Sequence, residues 1–204
     1  MNYLGYAFIC REDKERQVGA LINEFVNVRD ISKYNLNILQ GIKLHELLSD
    51  YTHSHEAFNE SKSIFPSKYS KLAEKIIPVF YDHFLASDWK LYNQDETLES
   101  FAHSTYGNLV EFISILPPKM NKIIPYMISG NWLVNYASIP GLNNLLKDLI
   151  KVSTGQASYI SALESLMENY SSYKKHFSDY FPDVVTYKNF IMENQKELLK
   201  ASID

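Results

Sequence analysis

The sequence predicts an all-α protein of one domain spanning residues 1–204. Apolar residues recur at spacings of three and four along most of the chain, while sustained period-two alternation is scarce. A chain of 204 residues, 46% of them hydrophobic, is long enough to bury one core. No fixed-period repeat, low-complexity tract or long linker divides it.

Val18, Leu21, Ile22 and Phe25 mark a first amphipathic helix, and Leu36, Leu39, Ile42, Leu44 and Leu48 a second. A third long segment starts near Pro66 and Ser67 and runs through Tyr69, Leu72, Ile76, Val79, Phe80 and Phe84. Pro78 lies inside it, which predicts a kink or two abutting helices, because proline lacks the N–H and clashes with the preceding turn. Thr97 is a candidate N-cap for a helix through Leu98, Phe101, Tyr106, Leu109, Phe112 and Ile113, which Pro117 and Pro118 stop. Shorter helices follow at 119–128 and 141–152, the latter with a stripe of Leu142, Leu145, Leu146 and Ile150. Residues 153–155 then mark a turn. A long helix carrying Leu163, Leu166, Tyr170, Tyr173 and Phe177 leads to Pro182, and a last one carries Tyr187, Phe190, Ile191, Leu198 and Leu199.

A net charge of −4 argues against a general nucleic-acid binder, since affinity for phosphate backbones comes from clustered Lys and Arg. Cys10 is the sole cysteine, which excludes an internal disulfide and a cysteine zinc cage and fits a reducing compartment. The apolar start, residues 3–10, lacks a basic lead and runs into six charged residues, unlike a secretory signal. No run reaches the roughly 18 to 20 apolar residues that cross a bilayer. A cytoplasmic protein without a membrane partner is expected.

The sharpest chemical signal is the crowding of His45, His53, His55 and His83 into residues 45–83, with Glu24, Asp50, Asp82 and Asp88 nearby in sequence. Imidazole and carboxylate together suit divalent metals. His45 falls on the apolar stripe set by Ile38 and Ile42, so it points inward. On spacing alone, a core histidine bonded to a carbonyl or carboxylate is the default reading, with a metal ligand as the alternative. Asp82 and His83 are adjacent, so on a helix they diverge by about 100° and reach one ion only across the edge between them. A nucleophile elbow, a phosphate-binding glycine loop and a dinucleotide fingerprint are all missing.

Several stretches together carry a resemblance: Met1–Leu4, Gly19 with Leu21, Ile22, Phe25 and Val26, the run Gly41–His45, and Thr52 with His55. Asp82–Leu85 followed by Trp89, Leu116–Pro118, Trp132 and Leu133 with Tyr136, and Tyr180–Pro182 extend it. In order and spacing these resemble the acyl carrier protein phosphodiesterases, a helical family similar to the HD-domain metal-dependent phosphohydrolases. The resemblance implies a single HD-like helical bundle and hydrolysis of the phosphodiester joining 4′-phosphopantetheine to acyl carrier protein, holo to apo, linked to fatty acid biosynthesis. It implies a divalent cation, Mn2+ with Mg2+ as substitute, and acyl carrier protein as partner. By the same resemblance His45, Asp82 and His83 would hold the metal, and Glu24, His45 and His55 would handle catalysis. Tyr6, Ala20, Ser49, His53 and Glu24 depart from the pattern, standing where histidine, asparagine and three aspartates are expected. These departures motivate an alternative, a non-catalytic relative that has lost the metal and binds a carrier protein or another partner. The 15 tyrosines motivate a third reading, a helical interaction protein. Lys68, Lys71 and Lys75 recur at helical spacing and would offer an acidic carrier a basic surface.

Overall fold

The computed structural model describes residues 1–151 and 156–194, and every regular element among these is helical. The chain opens with α1 (Tyr3–Ile9) and α2 (Lys14–Ile22), followed by 3-10 turns at Asn23–Phe25 and Val28–Lys33. Next come α3 (Leu36–Ser54), α4 (Glu56–Ile64), a 3-10 turn at Ser67–Tyr69 and α5 (Ser70–Ser87). The remainder comprises α6 (Trp89–Tyr92), α7 (Leu98–Glu111), α8 (Pro118–Ser129), α9 (Trp132–Asn135), α10 (Ile139–Lys151), α11 (Gln156–Glu168) and α12 (Tyr170–Glu193). Their buried apolar side chains make one continuous cluster. Among the described residues no helix is long and apolar enough to cross a membrane. The expected turn at residues 153–155 and the expected core positions Leu198 and Leu199 lie outside the described residues.

Short polar side chains start the helices by accepting the N–H groups that the first turn leaves unpaired. Asp13 accepts from the Arg16 amide, Asn35 from Ile38 and Thr97 from Ser100, so the predicted cap at Thr97 is observed. His55 ends α3 and caps α4 through an imidazole nitrogen that accepts from the Ala57 amide at 3.2 Å.

Two prolines lie inside continuous helices, so of the kink or pair of abutting helices expected at Pro78 the pair is not seen. α5 runs unbroken through Pro78, and α12 runs unbroken through Pro182, where the sequence predicts a boundary. The break comes instead at Asn169, between α11 and α12. An interior proline costs about 3 kcal/mol. Phe177, Tyr180, Phe181 and Val184 are buried on both sides of Pro182, and each contributes roughly 1.5–3 kcal/mol, so packing outweighs the lost hydrogen bond. Ile76, Ile77, Val79 and Phe80 do the same around Pro78.

The closest helix pair is α2 against α3, where Gly19 and Gly41 face each other's backbone. A Cβ on Gly19 would sit 2.1 Å from the Ile38 carbonyl oxygen, and one on Gly41 would sit 2.0 Å from the Arg16 carbonyl oxygen. Both approaches are far inside contact distance, so the helices meet backbone to backbone. Gly41→Ala is expected to force them apart and cost roughly 3 kcal/mol, as a lowered urea midpoint would show. The crossing brings the end of α2 within reach of the middle of α3, where His45 lies.

Candidate active site

A cleft of about 280 Å3 is lined from α1, α3 and the first half of α5, with Tyr6, Glu24, His45, Ser49, His53 and Lys75 in its wall. A narrower recess of about 20 Å3 adjoins it and shares Tyr6, Glu24 and His45. Small-molecule sites commonly hold roughly 300–1,000 Å3, so the cleft suits a compact group rather than a bulky cofactor.

His45 is 8% exposed and anchored at both faces. Its Nδ1–H donates to the Ala20 carbonyl at 2.7 Å, which fixes the tautomer and leaves the Nε2 lone pair uncommitted by that bond. The Tyr6 ring stacks on the imidazole, with centroids 3.8 Å apart and planes 13° from parallel. Tyr6 lies on α1 and His45 on α3, so the stack ties the imidazole to both helices. Burial drives the His45 pKa down to about 4, against the Ala20 hydrogen bond, which raises it. The ring is therefore neutral at pH 7. Because the unfolded chain takes up this proton near the ordinary 6.5 and the folded chain only near 4, His45 loses stability for the fold as pH falls through that window. An NMR titration of the imidazole nitrogens should show the Nδ1–H tautomer persisting below pH 5.

The resemblance-derived residues lie in four places. Glu24, exposed on its 3-10 turn, and His45 share the cleft. Asp82, 1% exposed, points to the start of α1: its carboxylate accepts the amides of Asn2 at 3.2 Å, Leu4 at 2.7 Å and Gly5 at 3.1 Å. Burial pushes its pKa up to about 6, opposed by the chain's amino group and these three amides. His83, 2% exposed, turns the other way, as adjacent helical residues must. Its Nδ1–H donates to the Tyr136 carbonyl at 2.7 Å and its Nε2 accepts from the Tyr170 hydroxyl at 3.0 Å. Burial lowers its pKa. His55, expected among the catalytic groups, caps α4 and donates through Nε2 to Asp183 at 3.3 Å, away from the cleft lining.

The expected metal set of His45, Asp82 and His83 does not fit a common ion here. Asp82 and His83 lie on different sides of α5, and the oxygens of one and the nitrogens of the other already have protein partners. Among the described residues no three His, Cys, Asp or Glu side chains gather as a metal site requires.

The sequence also passes over contributors to the cleft. Tyr6 sits in the apolar start, and its one signal is that it stands where the resemblance expects histidine. Thr52 and Phe58 join the lining, as does Pro78, whose missing N–H leaves the α5 backbone one hydrogen bond short beside it. His53 and Lys75 were visible as a histidine and a lysine, without any indication that they share a wall.

The profile of one family, described as acyl carrier protein phosphodiesterase, matches residues 1–184. The chain belongs to the acyl carrier protein phosphodiesterase family. Relatives bearing that name match over more than nine-tenths of their length. The protein of Serratia proteamaculans is 22% identical over 185 residues, covering 91% of this chain and 96% of the relative. That of Photorhabdus laumondii is 20% identical over 182 residues, covering 89% and 92%, and that of Yersinia pestis 21% over 185, covering 91% and 96%. No solved structure matches the chain, so kinship of this phosphodiesterase family member with the HD-domain phosphohydrolases rests on the sequence resemblance alone.

Proposed function

We propose that the protein hydrolyses the phosphodiester between 4′-phosphopantetheine and a serine of acyl carrier protein, returning holo carrier to apo carrier. The observation that supports this most is the family match over residues 1–184, within which the cleft holds an anchored, neutral imidazole. In this reading the Lys75 ammonium draws the phosphate to the cleft mouth. His45 Nε2 accepts a hydrogen bond from the attacking water; with a pKa near 4 it orients that water better than it stores a proton. The proton passes to the Glu24 carboxylate as the water oxygen bonds phosphorus. The bond from phosphorus to the serine oxygen breaks, and the proton held by Glu24 returns to that oxygen through water, which His53 orients by accepting at Nε2, its Nδ1–H being tied to the Ser49 carbonyl at 2.7 Å. No step is routed through a metal, since the residues expected to bind one are not gathered. The sole cysteine, Cys10, is buried and free, in keeping with a cytoplasmic setting.

The test is a mass-shift assay on holo carrier protein with manganese, with magnesium and with chelator. Loss of the phosphopantetheine mass that disappears in His45→Ala supports hydrolysis. A second reading, a carrier-binding relative without the chemistry, is favoured by the commitment of Asp82 and His83 to structural hydrogen bonds. No mass loss under any of the three conditions, with helicity intact, would select it.

A further inference from the structure

We propose that Lys68, Lys71 and Lys75 form a docking surface for an acidic helical face of the carrier protein; this rests on the proposed substrate. All three side chains are exposed. Lys71 and Lys75 lie one turn apart on α5, so they share a face, and Lys68 precedes them in the 3-10 turn at Ser67–Tyr69. Lys75 also lines the cleft, which makes the basic strip continuous with the site.

The strip is electrostatically available. Glu74, the carboxylate beside Lys75, is drawn to Lys62 at 3.6 Å, and Lys68 lies over the Tyr69 ring at 5.5 Å. Among the described residues no carboxylate comes within salt-bridge distance of Lys71 or Lys75, although the chain as a whole carries a net charge of −4. A local positive surface on a negative protein steers one class of partner and repels contact elsewhere.

The chemistry of the bond decides where that partner must sit. The phosphorus to be attacked is joined directly to a serine oxygen of the carrier, so the carrier backbone approaches within one side chain's length of the reacting atom. A docking surface for this substrate must therefore border the cleft, as Lys75 does. Three lysines fall short of the four to eight basic residues that hold a protein on an anionic membrane. The overall negative charge disfavours nucleic acid.

The experiment is fluorescence anisotropy of labelled apo carrier protein titrated with the full chain at low and physiological salt. Binding should weaken with salt, and the triple variant Lys68→Glu, Lys71→Glu, Lys75→Glu should weaken it by about tenfold or more. Lys90→Glu with Lys122→Glu, exposed on α6 and α8, should leave it unchanged. Equal binding by the triple variant overturns the proposal, as does the absence of carrier binding by the unaltered protein, including the case where it binds anionic phospholipid vesicles instead. The mass-shift assay judges hydrolysis separately. Turnover without dependence of binding on these lysines removes the docking surface alone, and lysine-dependent binding without turnover removes the hydrolysis alone.

Discussion

Asp82→Ala lowers the free energy of unfolding by about 3–5 kcal/mol at neutral pH, read from urea denaturation followed by far-UV circular dichroism. The amides of Leu4 and Gly5 lose a buried acceptor, and each buried donor left unpaired costs about 1–3 kcal/mol. Asn2 loses its bond as well, so α1 loosens from α5. The deficit also depends on pH, with a definite sign. Asp82 titrates near 6 in the fold against an ordinary 3.8, so the folded chain takes up this proton first and gains stability as pH falls from about 6 to 3.8. Alanine removes that gain, and the gap between variant and parent should widen from pH 7 to pH 4.5. A gap that stays constant, or a variant as stable as the parent, would show that Asp82 does not carry the start of α1.

His45→Ala is expected to lower kcat for holo carrier by about 100-fold or more, while KM changes by less than about threefold. The imidazole is positioned by two independent contacts, the Ala20 carbonyl and the Tyr6 ring, and its Nε2 is the group offered to water. The docking surface proposed for the carrier, Lys68, Lys71 and Lys75, is separate from His45, which is why KM should move little. His45→Gln restores an amide acceptor in the same region and should recover part of the rate. A fall in KM-dependent affinity with kcat intact would instead make His45 a binding residue.

Periodicity alone made most of the fold legible. The stripes through Ile38, Ile42 and Leu48, and through Leu142, Leu145 and Leu146, are buried as their spacing requires, and Thr97 caps its helix. The boundary expected at Pro182 failed because a local rule was outweighed by distant aromatic packing, which no window of sequence contains. The site was read less well. His45 was placed inward by its stripe, and the default of a carbonyl-bonded core histidine proved correct at Nδ1. The partners of His83, Tyr136 and Tyr170, lie 53 and 87 residues away, beyond any spacing argument. Asp82 entered the expected site through the family resemblance, and the amides that its carboxylate accepts, those of Asn2, Leu4 and Gly5, lie 77 to 80 residues away, again beyond any spacing argument.

The bond that orients His45 ends on a main-chain oxygen, that of Ala20. Such an acceptor is not encoded by any particular codon. Residue 20 can drift among side chains of small volume while the imidazole keeps its heading, since only the path of α2 past α3 has to be inherited. The glycines at 19 and 41 hold that path, so the heritable determinant of the histidine's orientation is a pair of missing methyl groups rather than a polar partner. A lineage could thus exchange many of the cleft's polar residues and still transmit the same pointing imidazole.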